Sequence, residues 1–170
     1  MPAAGTCSVR LYLPLFILIA VYTGRRKEAI LSLRWCDVNL TEGIIDFEST
    51  QRRTNKRRGR TRISKRLVPH LMRARQRGTD LGYVLHIDGK RIGDLKKSLR
   101  AAARAGVNDV SPHVFRHTAA TWLMKNGTRT WEAAQFLAVS EKVLNEVYGH
   151  FHPDFQAQAA ANISRRDQCR

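Results

Sequence analysis

From Gln51 to Arg77 the chain carries twelve Lys and Arg and not one Asp or Glu. Unrelieved like charge repels itself, so this stretch calls for a counter-surface, the plainer alternative being a solvated, charge-rich face. Over all 170 residues, 30 Lys+Arg stand against 14 Asp+Glu, a formal charge of +16. Such an excess implies a polyanionic partner, with nucleic acid ahead of an acidic membrane surface. A hydrophobic fraction of 43% argues against disorder and is enough for one compact domain with a real core.

Cys7, Cys36 and Cys169 are widely spaced and form no C-x-x-C pair. That argues against a disulfide framework or a cysteine zinc site, and for a reducing compartment. The run from Leu11 to Tyr22 is strongly apolar, yet it is only twelve residues long and is interrupted by Pro14. It is too short to span a bilayer. With one arginine upstream and no A-x-A site it also makes a poor signal peptide. It reads as a buried core helix, and no membrane partner is expected.

Residues 1–8 read as a frayed start. The apolar helix ends at Thr23-Gly24, and a second helix is expected over Arg25 to Leu33 with Ala29, Ile30 and Leu33 inward. Asp37 to Gly43 is turn chemistry. Gly43 to Glu48 and Arg60 to Ser64 read as the strands of a β-hairpin with a basic tip. Lys65 to Arg77 is a helix, Tyr83 to Ile87 a short strand, and Gly93 to Ala105 a helix stopped by Gly106. Ser111-Pro112 supplies an N-cap and a first-turn proline for a helix running to Lys125-Asn126-Gly127. Thr130 to Leu137 and Ser140 to Tyr148 are two shorter helices, each read as capped by its Thr or Ser. The alanine- and glutamine-rich tail reads as weakly helical, with 156–170 as a flexible end. The expected fold class is mainly α with a small antiparallel β-sheet, α+β, in a single domain over 1–170.

Four places could carry chemistry. His113 and Arg116 share one face of a helix's first turn, where an imidazole and a guanidinium suit an anion such as phosphate. The plainer alternative is a structural cap and a surface charge. His113 and His117 also make an H-x-x-x-H spacing, but no acid stands where a zinc hydrolase needs its base, so neither metal nor cofactor is expected. In Thr23-Gly24-Arg25-Arg26, Arg26 could turn back into a cleft and engage two phosphate oxygens. Lys56 is the sole lysine among arginines from Arg52 to Arg62 and, unlike them, can give up a proton; one more phosphate-contacting charge is the alternative. Tyr148 follows Val143, Leu144 and Val147 at helical spacing, a pattern more often found in a core than at a nucleophile.

Taken in order, these boxes resemble the tyrosine recombinase (phage integrase) family from about Leu11 to Phe155. Thr23-Gly24-Arg25-Arg26 with Leu33-Arg34-Trp35 is similar to the family's first-arginine box. His113-Val114-Phe115-Arg116-His117-Thr118 is similar to its H-x-x-R-H box, and Val147-Tyr148-Gly149-His150 to its nucleophile box. The resemblance implies the integrase-like catalytic fold and site-specific DNA cleavage and rejoining through a 3′-phosphotyrosine. It implies Arg26 and Arg116 clamping the scissile phosphate, His113 assisting proton transfer, Lys56 protonating the departing 5′ oxygen, and Tyr148 attacking. It further implies DNA contacts from Arg52, Arg53, Arg57, Arg58, Arg60 and His117. Double-stranded DNA and a homotetramer on it are the implied partners, while the free domain is compatible with a monomer. The implied location is the cytoplasm of a prokaryotic or phage-infected cell.

The chain departs from the family pattern at Val139, which stands where His or Trp is usual and cannot donate a hydrogen bond, and at Ala29, where an acid is common. Only about ten residues precede the first helix, so the family's N-terminal DNA-clamping domain is expected to be absent. A non-catalytic DNA-binding remnant of the same fold is the alternative these departures motivate. A basic RNA-binding protein is a further one, which leaves the ordered boxes unexplained. Neutralising about six to ten phosphates makes affinity for DNA fall by about 10³–10⁵ between roughly 50 and 200 mM salt. A steep salt titration of DNA binding is expected, and a flat one would count against DNA as partner.

Overall fold

The computed structural model describes residues 5–48, 59–77, 82–104, 106 and 110–164. Among them run eight helices and two small antiparallel sheets, the expected class. Helix α1 (Gly5–Thr23) begins earlier than the frayed start allowed, and Pro14 sits inside it. It ends where Thr23 Oγ1 donates to the Ile19 carbonyl at 2.6 Å and Gly24 turns left-handed at φ +60°. Helix α2 (Lys27–Leu31) is shorter than expected because Arg26 is extended (φ −66°, ψ 148°) and Ser32 closes the last turn. Ala29, Ile30 and Leu33 are buried as expected, and Leu31 joins them.

Strands β1 (Val38–Asn39), β2 (Ile44–Asp46) and β3 (Arg60–Arg62) form one sheet in that order, with Ile45 opposite both Val38 and Thr61. The β2–β3 hairpin was expected and β1 was not. Helix α3 (Val68–Arg77) leaves Leu71 fully buried. The strand expected over Tyr83 to Ile87 contracts to β4 (His86–Ile87), which pairs with β5 (Lys90–Arg91). Asp88 (φ 49°) and Gly89 (φ 77°) form the left-handed pair that an Asp-Gly hairpin turn requires. Helix α4 (Lys96–Arg104) buries Leu99 and Ser98, whose hydroxyl bonds the Tyr12 phenol at 2.6 Å.

Helix α5 (Pro112–Lys125) starts where Ser111-Pro112 predicted, with Ser111 Oγ accepting from the Val114 amide. Helix α6 (Thr130–Leu137) and α7 (Glu141–Tyr148) follow, and Ser140 Oγ caps α7 by accepting from Val143 N. Thr130 is not a cap: Arg129 holds that position without a side-chain bond, and Thr130 Oγ1 donates to Glu141 Oε1 at 2.5 Å. The hydroxyl thereby ties the start of α6 to the start of α7. The exposed α8 (Ala157–Ser164) occupies the alanine-rich tail. No helix among the described residues is long and apolar enough to cross a membrane.

The interior has two parts. One packs α1, α2, the sheets, α3 and α4 around Phe16, Ile30, Phe47, Leu67 and Leu95. The other packs α5, α6 and α7 around Ala120, Met124, Ala133, Leu137 and Leu144. They meet along α1 and α5, where Phe16 and Phe115 stack edge to face at 6.4 Å between ring centroids. They also meet at Gly24: a Cβ placed there would lie 2.2 Å from Leu137 Cδ2 and 3.2 Å from Ala119 Cβ. Leu137 is itself buried and cannot swing away.

Gly24→Ala is therefore expected to carry about 1–2 kcal/mol for the left-handed backbone and about 1–3 kcal/mol more for overpacking. Gly43→Ala is the control, since its φ is +66° but nothing lies within 4 Å. Urea denaturation of both variants checks this; equal losses would show that the close approach at Gly24 carries no cost.

Candidate functional site

The seam between the two interiors gathers three arginines. Arg116 projects from the second turn of α5, and its Nη1 donates to the Gly24 carbonyl across the seam at 2.6 Å. Its Nη2 is buried without a hydrogen-bond partner among the described residues. Burial first, then the charge of Arg26, lowers the Arg116 guanidinium to about 10, while Tyr148 acts in the opposite direction. The group remains a cation at neutral pH, held with one donor unsatisfied. An unmet charged donor in a desolvated place favours an anion there.

Arg25 and Arg26 lie at the junction between α1 and α2. The sequence favoured Arg26 as the residue turned inward, but Arg26 is exposed and Arg25 is only 2% exposed. Arg25 Nη2 donates to the Arg60 carbonyl at 3.1 Å, and its guanidinium lies 5.2 Å from the centre of the Phe47 ring. Phe47 and Arg60 flank the base of the β2–β3 hairpin, so Arg25 ties that hairpin to the seam. Burial, and then the Arg116 charge, lowers Arg25 to about 10, with Glu48 opposing. Arg26 stays within electrostatic reach of both other arginines. Nothing local marks Arg25 as buried; the signal that could have found it is the doubled arginine directly after a tight glycine turn.

Tyr148 ends α7 half-buried, its hydroxyl hydrogen-bonded to His117 Nδ1 at 2.5 Å. The two rings are 5.6 Å apart and tilted by 48°. Burial raises the phenol above its ordinary value, and the positive charge of Arg116 opposes that shift. His113, expected beside the tyrosine, is exposed one turn earlier on α5; the histidine bonded to the phenol is His117, expected instead to face DNA.

Val139 lies half-buried in the turn from α6 to α7, after Ala138 in the left-handed region (φ 51°). It lines an open cleft of about 580 Å³ with Arg60, Trp131, Gln135 and Glu141. Arg60 is exposed and pairs with Asp46 at 2.9 Å within the hairpin. Lys56 and Arg52, Arg53, Arg57 and Arg58 lie outside the described residues. Arg26, Arg116 and Tyr148 thus share one electrostatic neighbourhood, with Arg25 and His117 added to it.

Residues 2–152 match the phage integrase family, and the chain belongs to it. A stretch of 51 residues is 41% identical to tyrosine recombinase XerC of Bifidobacterium longum (strain DJO10A), covering 30% of this chain and 14% of that protein. Among solved structures, XerA recombinase superposes with a TM-score of 0.66 at 23% identity, over 96% of this chain and 61% of its own. The catalytic domain of bacteriophage HP1 integrase does so with a TM-score of 0.60 at 23% identity, over 86% and 79%. XerH recombinase bound to a palindromic difH substrate gives 0.65 at 21%, over 92% and 47%. The fold is that of tyrosine recombinase catalytic domains. This chain spans about three-fifths of the XerA chain it matches.

If the three arginines form an anion seat, replacing chloride by sulfate at matched ionic strength stabilises the protein. At ten times its dissociation constant the ion contributes about 1.4 kcal/mol, or about 3–6 °C in Tm for a chain of this size. Arg116→Met should remove most of that gain. Thermal melts check it, and an equal gain in the variant would assign the effect to sulfate's general exclusion from protein surfaces or to another site, not to this seat.

Proposed function

We propose that this chain is the catalytic domain of a site-specific recombinase that cleaves and rejoins double-stranded DNA through a 3′-phosphotyrosine at Tyr148. The observation that carries the reading is Arg116: one donor anchored on Gly24, another buried without a partner among the described residues, and Tyr148 within its field. Phosphoryl transfer asks chiefly for positioning and charge neutralisation, which fixed guanidiniums supply. Arg26 and Arg116 hold the non-bridging oxygens of the scissile phosphate. The Tyr148 oxygen attacks phosphorus, and the bond to the 5′ oxygen breaks. Lys56, from the basic hairpin, protonates that oxygen, and His113 assists proton transfer. The covalent intermediate keeps the energy of the phosphodiester, so rejoining needs no nucleotide cofactor.

The hairpin arginines and the net charge of +16 supply the DNA contact. XerH has been solved on its difH substrate and the Tn1549 transposon integrase with circular-intermediate DNA, both in this fold. By the same reading the working form is a homotetramer on two DNA sites in the cytoplasm. Val139 favours a second reading, a DNA-binding remnant without turnover, because that position offers the phosphate no donor.

A pool of duplexes nicked near a randomised position traps a covalent product when the short cleaved end diffuses away. An SDS-resistant protein–DNA adduct with the wild-type chain, and none with Tyr148→Phe, is expected. An adduct persisting in Tyr148→Phe would remove that residue from its role, and no adduct despite tight binding would favour the remnant. Arg116→Ala is expected to slow adduct formation by about 10²–10³-fold, the usual cost of one transition-state donor, with a far smaller loss of DNA affinity. Equal losses would make Arg116 an anchoring charge only.

A further inference from the structure

We propose that His117 receives the proton of Tyr148 when the nucleophile attacks. The inference rests on the recombinase reading and assigns it a further catalytic residue. His113 and His117 are four residues apart on α5 and so share a face. Residue type and spacing alone do not choose between them. The structure does: the Tyr148 hydroxyl lies 2.5 Å from His117 Nδ1, within the range a general base must meet. With the imidazole hydrogen on Nε2, Nδ1 is the acceptor and the phenol the donor.

The surroundings give the base something to do. Tyr148 is half-buried, and burial makes its phenol harder to ionise than in water. Arg116 favours the phenolate but is a cation with no proton to accept. The His117 imidazole is in contact with the hydroxyl and has a ring nitrogen able to accept its proton. In cleavage the phenol O–H bond breaks as the oxygen–phosphorus bond forms, and the proton passes to Nδ1. The phosphorus–O5′ bond breaks with its electron pair on the 5′ oxygen, which is protonated by Lys56 in the proposed mechanism. In rejoining, the 5′ hydroxyl returns its proton to Lys56 as its oxygen attacks phosphorus, the phosphorus–tyrosine bond breaks, and His117 returns its proton to the phenolate. One imidazole serves both directions.

The role differs from a DNA contact, which the sequence suggested, and from a hydrogen bond that only orients the ring. His117 is exposed, so it can be replaced without disturbing the interior. The measurement is the single-turnover rate of adduct formation on the nicked duplex recovered from the randomised pool, with DNA affinity measured in parallel. His117→Ala and His117→Asn are both expected to slow the reaction by about 10²–10⁴-fold, the span of general acid–base catalysis, with affinity unchanged. Added imidazole should restore cleavage to His117→Ala in proportion to its concentration. His117→Asn cleaving at the wild-type rate would reduce the bond to orientation and overturn the inference. Rate and affinity falling together, with no response to imidazole, would return His117 to the DNA backbone and overturn it equally. If the wild-type chain itself binds the pool but forms no adduct, the recombinase reading fails and this assignment fails with it.

Discussion

The bond from Arg116 to the Gly24 carbonyl joins the two halves of this molecule where its chemistry is expected. It exists because residue 24 has no side chain, so the turn after α1 can settle against Leu137 and Ala119. One interior supplies the carbonyl, and the other supplies the guanidinium, the imidazole and the phenol. A guanidinium is a planar fork, so fixing one nitrogen limits where the others can lie. A displacement of about 1 Å between reacting groups can cost about 10²-fold in rate, which makes this close packing a condition of function as well as of stability.

Crowding Arg25, Arg26 and Arg116 at this seam works against folding. Arg25 and Arg116 are driven down to about 10, by desolvation first and then by a neighbouring guanidinium, Arg116 for Arg25 and Arg26 for Arg116. The fold offsets this unevenly. Arg25 is met by the Arg60 carbonyl and the Phe47 ring, with Glu48 in its field, and acts as a strut beneath the hairpin. Arg116 has a buried donor with no partner among the described residues, and Arg26 faces solvent. Arg25, bonded to the hairpin, holds the structure, while Arg116 and solvent-facing Arg26 are the ones placed to take a phosphate. Neighbouring residues of one type are divided between the two tasks by which contacts reach them.

Local chemistry made much of the fold readable. Ser111-Pro112 marked the start of α5, Ser140 the start of α7, and Gly24 the end of α1, because each acts within a few residues of itself. The same locality explains the errors. Thr130 has the composition of a cap, but its hydroxyl goes to Glu141, eleven residues on. The strand expected through Tyr83 shortens because its start makes only an isolated antiparallel bridge, Tyr83 to Arg34, through Val84 N to the Leu33 carbonyl and Trp35 N to the Gly82 carbonyl.

By its order of residues alone, this chain settles its helical periodicity, its basic surface, and the presence of two arginine boxes ahead of a tyrosine. Those depend on composition and spacing, which need no partner to be read. Which of two adjacent arginines enters the interior, and which of two histidines on one helical face meets the phenol, belonged to the tertiary structure. Arg25 is chosen by a hairpin carbonyl 35 residues away, and His117 by a helix that ends 31 residues later. Side chains that share a face are equivalent until a distant segment packs against one of them.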